Sequence, residues 1–183
     1  MSLTTAQLAT FKLAINAETD PTLVAARTAG ATGAIQAWYN TSGTYIVWST
    51  VTPTVVLFDA VIWANMTPTD IPDGTALWAN RSHQCQGKQF NLQTMLTGRE
   101  FLGTGRANIR AGLQDALTQL PSGVSGALVG AGWPAVRTAM QRPATKVEAI
   151  FATGVGAGTA ATPGVLVLDG LITEYDVIQA LFQ

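Results

Sequence analysis

The stretch TTAQLATFKLAINAETDP (residues 4–21) holds one helix start, its apolar stripe, its end and the next helix start. Thr4 or Thr5 offers an N-cap hydroxyl. Leu8, Phe11 and Ile15 recur at i, i+3 and i+7, one face of a helix. Glu18-Thr19-Asp20-Pro21 ends it. Asp20 before Pro21 is a cap followed by proline at the first helical position, which opens a second helix to about Thr28. Gly30 and Gly33 interrupt the pattern, and Ala34 to Tyr39 supplies another turn or two.

The same reading carries along the chain. Tyr45 to Val51 (YIVWSTV), rich in β-branched and aromatic residues, reads as a strand. Thr52-Pro53 repeats the cap-and-proline start, and residues 53–65 are expected to form a largely buried helix carrying Val55, Val56, Phe58, Val61, Ile62 and Trp63. Residues 67–74, with two prolines and two aspartates, form a loop. Thr75 to about Gly98 is weakly helical with Gly87 as a break, its apolar contacts coming from Leu77, Trp78, Phe90, Met95 and Leu96. Arg106 to Leu120 is a clearer helix, with Ile109, Leu113, Ala116, Leu117 and Leu120 as its stripe. Val124 to Gln141 is expected as two helical pieces split near Gly130 and Gly132, the second opened by Pro134. Pro143 opens a helix to about Phe151, Val165 to Leu168 forms a strand, and Thr173 caps a last helix with Asp176 at N3. The expected fold is mainly α: a helical bundle-like domain over residues 1–152, with one or two short strands. A glycine-rich loop or arm with a terminal strand and helix follows over residues 153–183.

Composition narrows the function. Only 11% of the 183 residues are charged, against about 25% in ordinary domains. A chain so poor in charge covers itself badly as a free monomer, which favours a subunit packed against copies of itself or other proteins. Residues 1–80 hold Lys12 and Arg27 against Glu18, Asp20, Asp59, Asp70 and Asp73, a net of −3. Residues 81–146 hold eight bases against Glu100 and Asp115, a net of +6. Residues 147–183 hold Glu148, Asp169, Glu174 and Asp176 without a base, a net of −4. Head-to-tail packing of copies would set unlike segments together; the alternative is that the basic segment is one solvated face. The single Cys85 excludes an internal disulfide and fits a reducing birthplace. The start, MSLTTAQL, lacks the basic region and apolar core of a secretory signal. The apolar run from Val55 to Ala64 is broken by Asp59 and falls far short of the roughly 20 residues of a membrane span.

No catalytic motif emerges. His83 and Cys85 stand at i, i+2, which points them apart on a helix, and no second Cys or His completes a zinc site. Gly154, Gly156 and Gly158 suggest a phosphate loop, but Thr-Ala-Ala-Thr-Pro follows where Lys-Ser or Lys-Thr is required. A loop or assembly arm is the plainer reading. No carboxylate pair stands out as general acid and base, and no metal or cofactor is expected. Trp38, Trp48, Trp63, Trp78 and Trp133 are individually core candidates and together candidate anchors of subunit contacts. A sequence pI of 5.7 argues against a dedicated nucleic-acid binder, though a local basic surface within residues 81–146 suits non-specific contact with DNA.

The block RPATKVEAIFATGVG…ATPGVLVLDGLITEYDVIQA (residues 142–156 and 161–180) resembles the end of small structural proteins encoded near the capsid genes of tailed bacteriophages. The opening LTTAQLATFKLAINAETDP, the pair Tyr39-Asn40, the pair Val47-Trp48 and the central NIRAGLQDAL (residues 108–117) fit as well. The resemblance touches about half of the chain and is strongest at its ends. Its motifs are structural, so they specify a lineage better than a role. It implies a non-enzymatic head–tail connector, an adaptor or neck subunit of the virion made in the host cytoplasm. Such a subunit forms a dodecameric homo-oligomeric ring that binds the portal protein and the tail or nozzle proteins and continues the DNA channel. A capsid decoration protein or another minor virion protein is the alternative. Within this reading Gly154, Gly156 and Gly158 form a mobile assembly arm, extended against a neighbour, with Val165, Leu166, Val167 and Leu168 pairing as an added strand.

Overall fold

Thr4 caps the first helix, α1 (Thr5–Ala17), reciprocally: its hydroxyl accepts from the Gln7 N–H at 3.3 Å, and the Gln7 side chain accepts from the Thr4 N–H at 2.9 Å. Asp20 caps α2 (Pro21–Thr28) by accepting from the N–H groups of Thr22 and Leu23 at 2.9 and 3.3 Å. Phe11, Ile15 and Leu23 are fully buried, as the stripe requires. Asp20→Ala is expected to cost about 1 kcal/mol, read as a lower urea midpoint with an unchanged slope.

The computed structural model describes residues 3–154 and 158–182. The described chain is mainly α with a few short strands. Its remaining helices are α3 (Thr32–Tyr39), α4 (Thr54–Ala60), α5 (Ala76–Leu96), α6 (Ala107–Leu117), α7 (Trp133–Ala139), α8 (Lys146–Phe151) and α9 (Glu174–Phe182). Short 3₁₀ turns stand at Trp63–Met66 and Val124–Gly126. The strands β1 (Ser42–Trp48) and β4 (Gln141–Thr145) pair with each other, and β2 (Thr52–Pro53) pairs antiparallel with β3 (Phe101–Leu102). No described helix is long and apolar enough to cross a membrane.

Contacts divide the chain into two compact units, and the division differs from the expected one at residue 152. Unit 1 combines residues 1–48 with 142–183, and unit 2 is residues 49–141. The C-terminal segment is therefore part of the first core rather than an appendage. In unit 1, α9 packs on α1 and α3. Val177, Ala180, Leu168 and Ile172 join Phe11, Ile15, Leu23, Ile35, Tyr39, Val147 and Phe151 in one apolar cluster. Asp176 ties this core to the chain start. Although burial raises its pKa, hydrogen bonds from Thr173 and from the Leu3 N–H (3.1 Å) outweigh this and hold the carboxyl below its ordinary range.

Unit 2 is built on α5 and α6, which pack together with α7 against α6. Leu92, Leu96, Leu113, Leu117, Leu120, Val136 and Met140 are among its buried members. Several expectations are corrected here. Gly87 does not break α5, because a glycine in open space on the outer face leaves the buried anchors Cys85, Leu92 and Leu96 undisturbed. The helix expected over 53–65 stops at Ala60, and Val55, Val56, Phe58 and Ile62 face solvent, with Leu57 and Val61 turned inward. Residues 127–129 are not helical, because Leu120 and Val129 exchange backbone hydrogen bonds at 2.8 and 2.9 Å. In unit 1, Pro143 lies in β4 and the helix that follows is capped by Thr145 instead.

The fold also redistributes charge. Unit 1 contains four bases (Lys12, Arg27, Arg142, Lys146) and six acids (Glu18, Asp20, Glu148, Asp169, Glu174, Asp176), a net of −2. Unit 2 contains six bases and five acids, a net of +1. The segregation visible along the chain is mostly lost in space.

Candidate assembly interface

The candidate site of the sequence is the segment from Gly154 to Leu168, and Tyr45 of β1 determines where it lies. A Cβ added at Gly158 would fall 2.2 Å from the Tyr45 ring, and one at Gly164 would fall 2.6 Å from it. The segment approaches the aromatic face because neither position carries a side chain. Backbone hydrogen bonds complete the seat: Ile46 N–H donates to Gly158 C=O at 2.6 Å, Gly164 N–H to Ile46 C=O at 2.9 Å, and Trp48 N–H to Gly164 C=O at 3.0 Å. Thr153 and Val165 exchange N–H···O bonds of 2.8 and 2.7 Å, which closes the base of the loop. Thr159 and Thr162 bond to each other across its tip at 3.0 Å.

Among its described residues the segment is clipped to its own strand rather than extended without partners. Gly154 packs beside Val165, and Gly156 lies outside the described residues. Val165, Leu166, Val167 and Leu168 do not form a continuous strand. Pairing is confined to bridges at Gly164 and Val165, Leu168 turns into the core, and Val167 faces solvent. The physical reason lies one residue on, where Asp169 is drawn to Arg142 at 3.1 Å.

Arg142 is the centre of a clasp beneath the segment. Its guanidinium binds Glu148 in a bidentate pair of 2.8 and 2.7 Å. The Glu148 carboxylate also accepts from the N–H groups of Thr145 at 2.8 Å and Gly170 at 3.1 Å. Burial alone pushes the Glu148 carboxyl up. The Arg142 and backbone hydrogen bonds outweigh it and hold the group at about 2. The signal was present in sequence as Thr145-x-x-Glu148, a capping box. What the sequence did not show was that the box faces a guanidinium from the strand before it.

Beside β1 an open groove of about 660 Å³ has Trp38, Tyr39 and Tyr45 among its lining, with Glu18, Asp20 and Lys146. The Lys146 ammonium stands 3.3 Å over the Trp38 ring, a cation–π contact. Burial raises the Tyr39 phenol above its ordinary range, and the nearby Glu18 charge adds to the rise. His83 and Cys85 lie on α5 as a solvent-facing ring and a buried thiol, the thiol raised by burial. No group of three or more metal-ligating side chains occurs among the described residues. The five tryptophans are all half-buried, neither free anchors nor full core members.

Gly164→Ala is expected to cost about 1–3 kcal/mol, because the added methyl overpacks the Tyr45 ring. Hydrogen exchange at the Trp48 amide should accelerate, and Tyr45→Ala in the same chain should restore much of the protection. An unchanged Trp48 amide would remove Tyr45 as the seat.

Comparison of the chain with protein-family models, with curated proteins and with solved structures finds no match.

Proposed function

We propose that this chain is a structural virion subunit of a tailed bacteriophage, a head–tail adaptor that forms a neck ring between the portal and the tail proteins. The observation that supports the reading best is the apolar surface of a charge-poor chain. Val55, Phe58, Ile71, Leu77, Phe90 and Phe101 of unit 2, and Leu13, Leu171 and Phe182 of unit 1, are all exposed. Only 11% of the residues carry charge to keep such a surface apart from its neighbours. Surfaces of this kind are completed by other protein. The mainly helical units favour an adaptor over a decoration protein, which usually relies on β structure. The sequence resemblance at both ends of the chain supplies the phage context. The clipped glycine-rich segment is proposed as a surface that a neighbouring subunit reads, with packaged DNA as a non-specific contact of the ring.

The reading is tested by mixing the purified chain with the portal protein encoded beside it and following co-sedimentation. A ring bound to the portal is expected. A chain that remains a monomer and never binds the portal, or whose gene has no portal, terminase or capsid gene near it, would contradict the proposal.

A further inference from the structure

Unit 1 holds a groove whose polar groups are only half used. It is the open groove of about 660 Å³ beside β1, within the roughly 300–1,000 Å³ of ordinary ligand sites. Glu18 and Asp20, from the connection between α1 and α2, line it half-buried. Each commits one carboxylate oxygen to the backbone. Glu18 Oε1 accepts from the N–H groups of Thr19 and Asp20 at 2.9 and 3.1 Å, and Asp20 Oδ1 accepts from those of Thr22 and Leu23. Among the described residues the second oxygen of each has no hydrogen bond, and neither carboxylate has an ion pair.

Tyr39 supplies an observation of a different kind. It is 3% exposed and belongs to the core of unit 1, with the Phe11 ring edge-on at 4.9 Å. Its hydroxyl nevertheless has no hydrogen-bond partner among the described residues, where a buried polar group is normally paired. The oxygen is not sealed in the core: the enclosed side-chain atoms without a partner are Asp70 Oδ1, Arg81 Nε and Ser122 Oγ. It therefore opens on the groove that Tyr39 lines, and the Glu18 charge acts on it there.

The cations nearby leave these acceptors unmet. Lys146 lines the groove, but its ammonium stands 3.3 Å over the Trp38 ring and forms no ion pair among the described residues. Arg27 of α2 is taken up by the end of α1, donating to the carbonyl oxygens of Ile15 and Asn16 at 2.7 and 3.0 Å. Lys12 of α1 is not in the lining. Two carboxylates against one ammonium leave the lining short of positive charge. Its aromatic wall already accepts a cation at Trp38. A guanidinium suits both features, because it lies flat on rings and offers several fixed donors to carboxylates.

We infer that this groove receives an arginine side chain of a partner polypeptide, its guanidinium donating to the free oxygens of Glu18 and Asp20 and to the Tyr39 oxygen beside the Trp38 ring. The inference names a partner chemistry for unit 1 and does not depend on the neck reading.

The experiment titrates the full chain with the peptide acetyl-Gly-Gly-Arg-Gly-Gly-amide and with its citrulline counterpart, which keeps the shape and loses the charge. Binding is read from NMR shifts of the Trp38 indole N–H and the Thr44 amide. The arginine peptide should shift both signals saturably at millimolar concentration. The citrulline peptide should bind about 10-fold more weakly, the size of one hydrogen bond to a charged group. Glu18→Gln and Asp20→Asn each remove a charge and keep an oxygen for the backbone, so each should weaken arginine binding by about the same 10-fold. Tyr39→Phe removes only the unpartnered oxygen. It should weaken binding about 3-fold and leave the melting temperature unchanged or higher, because no hydrogen bond within the chain is lost. Circular dichroism checks that each variant folds. Equal binding of the two peptides to the wild type would overturn the inference, as would no shift with either. Arginine binding unchanged in Glu18→Gln would overturn it as well. A lower melting temperature for Tyr39→Phe would show that the hydroxyl serves the core and would remove it from the site. Each of these outcomes leaves the neck reading standing, since that reading is decided by association with the portal.

Discussion

Arg142→Ala is expected to destabilise unit 1 by about 1–3 kcal/mol: it leaves the Glu148 carboxylate without its charged partner, while the one-third exposure of the Arg142 side chain lets water screen part of the pair. Glu148 is only 2% exposed. Without the guanidinium it keeps two backbone N–H donors, and its charge remains buried. For a chain of 183 residues such a loss lowers the melting temperature by about 5 °C. The pH dependence gives a sharper signature. In the wild type the Glu148 carboxyl is depressed from an ordinary 4.5 to about 2. Its stabilisation is therefore complete above 4.5 and is lost as pH falls toward 2, because the unfolded chain takes up the proton first. A shift of this size corresponds to about 3 kcal/mol. In Arg142→Ala the buried carboxylate is no longer compensated, so protonation relieves it. The gap between variant and wild type, measured by urea denaturation, should shrink between pH 7 and pH 3. A gap that is constant with pH would mean that Arg142 acts through packing alone.

Gly132→Ala should have the corresponding effect on unit 2, about 3 kcal/mol or more. Gly132 precedes α7 with φ +89°, where a side chain is strained. Its added Cβ would stand 2.5 Å from the Ala60 carbonyl oxygen and 3.1 Å from the Ile62 nitrogen. Both obstacles are backbone, and Ile62 N–H is already bonded to Ala131 C=O at 3.1 Å, so they cannot rotate away. Strain and overpacking each cost about 1–3 kcal/mol. Gly87→Ala is the control. It lies inside α5 with nothing near its Cβ, and there the same substitution should stabilise by about 0.5–1 kcal/mol. Thermal unfolding of the two variants should shift in opposite directions; the same sign for both would show that local geometry at Gly132 is not the cause.

These contrasts show what was legible along the chain. Caps and stripes were, because their partners are within four residues. Thr4, Asp20, and Thr173 with Asp176 all form local hydrogen bonds that the residue types announce, whereas Pro143 drew the start of the helix before Phe151 away from its true cap, Thr145 with Glu148. Helix burial was less legible. The Val55, Val56, Phe58 and Ile62 run reads as core, yet only the packing of neighbouring elements decides which side of a short helix is covered, and here these residues are left outside. The seat of the glycine-rich segment on Tyr45 was not legible for a related reason. Its lack of charge and bulk suggests freedom, whereas its glycines allow a close approach to an aromatic ring more than 100 positions earlier. The two-unit division was also hidden, since unit 1 is assembled from both ends of the chain around a self-contained middle. Charge patterning misled because Arg142 of the basic stretch pairs with Glu148 and Asp169 of the acidic one inside a single unit.

Copy number and position in the particle test the proposed neck role most directly. Quantitative mass spectrometry of purified particles, with labelled-antibody imaging of the same particles, should find the chain in about twelve copies at the single tailed vertex, the number and place that the resemblance to head–tail connectors implies. Hundreds of copies spread over the capsid shell, or absence from the particle, would contradict it.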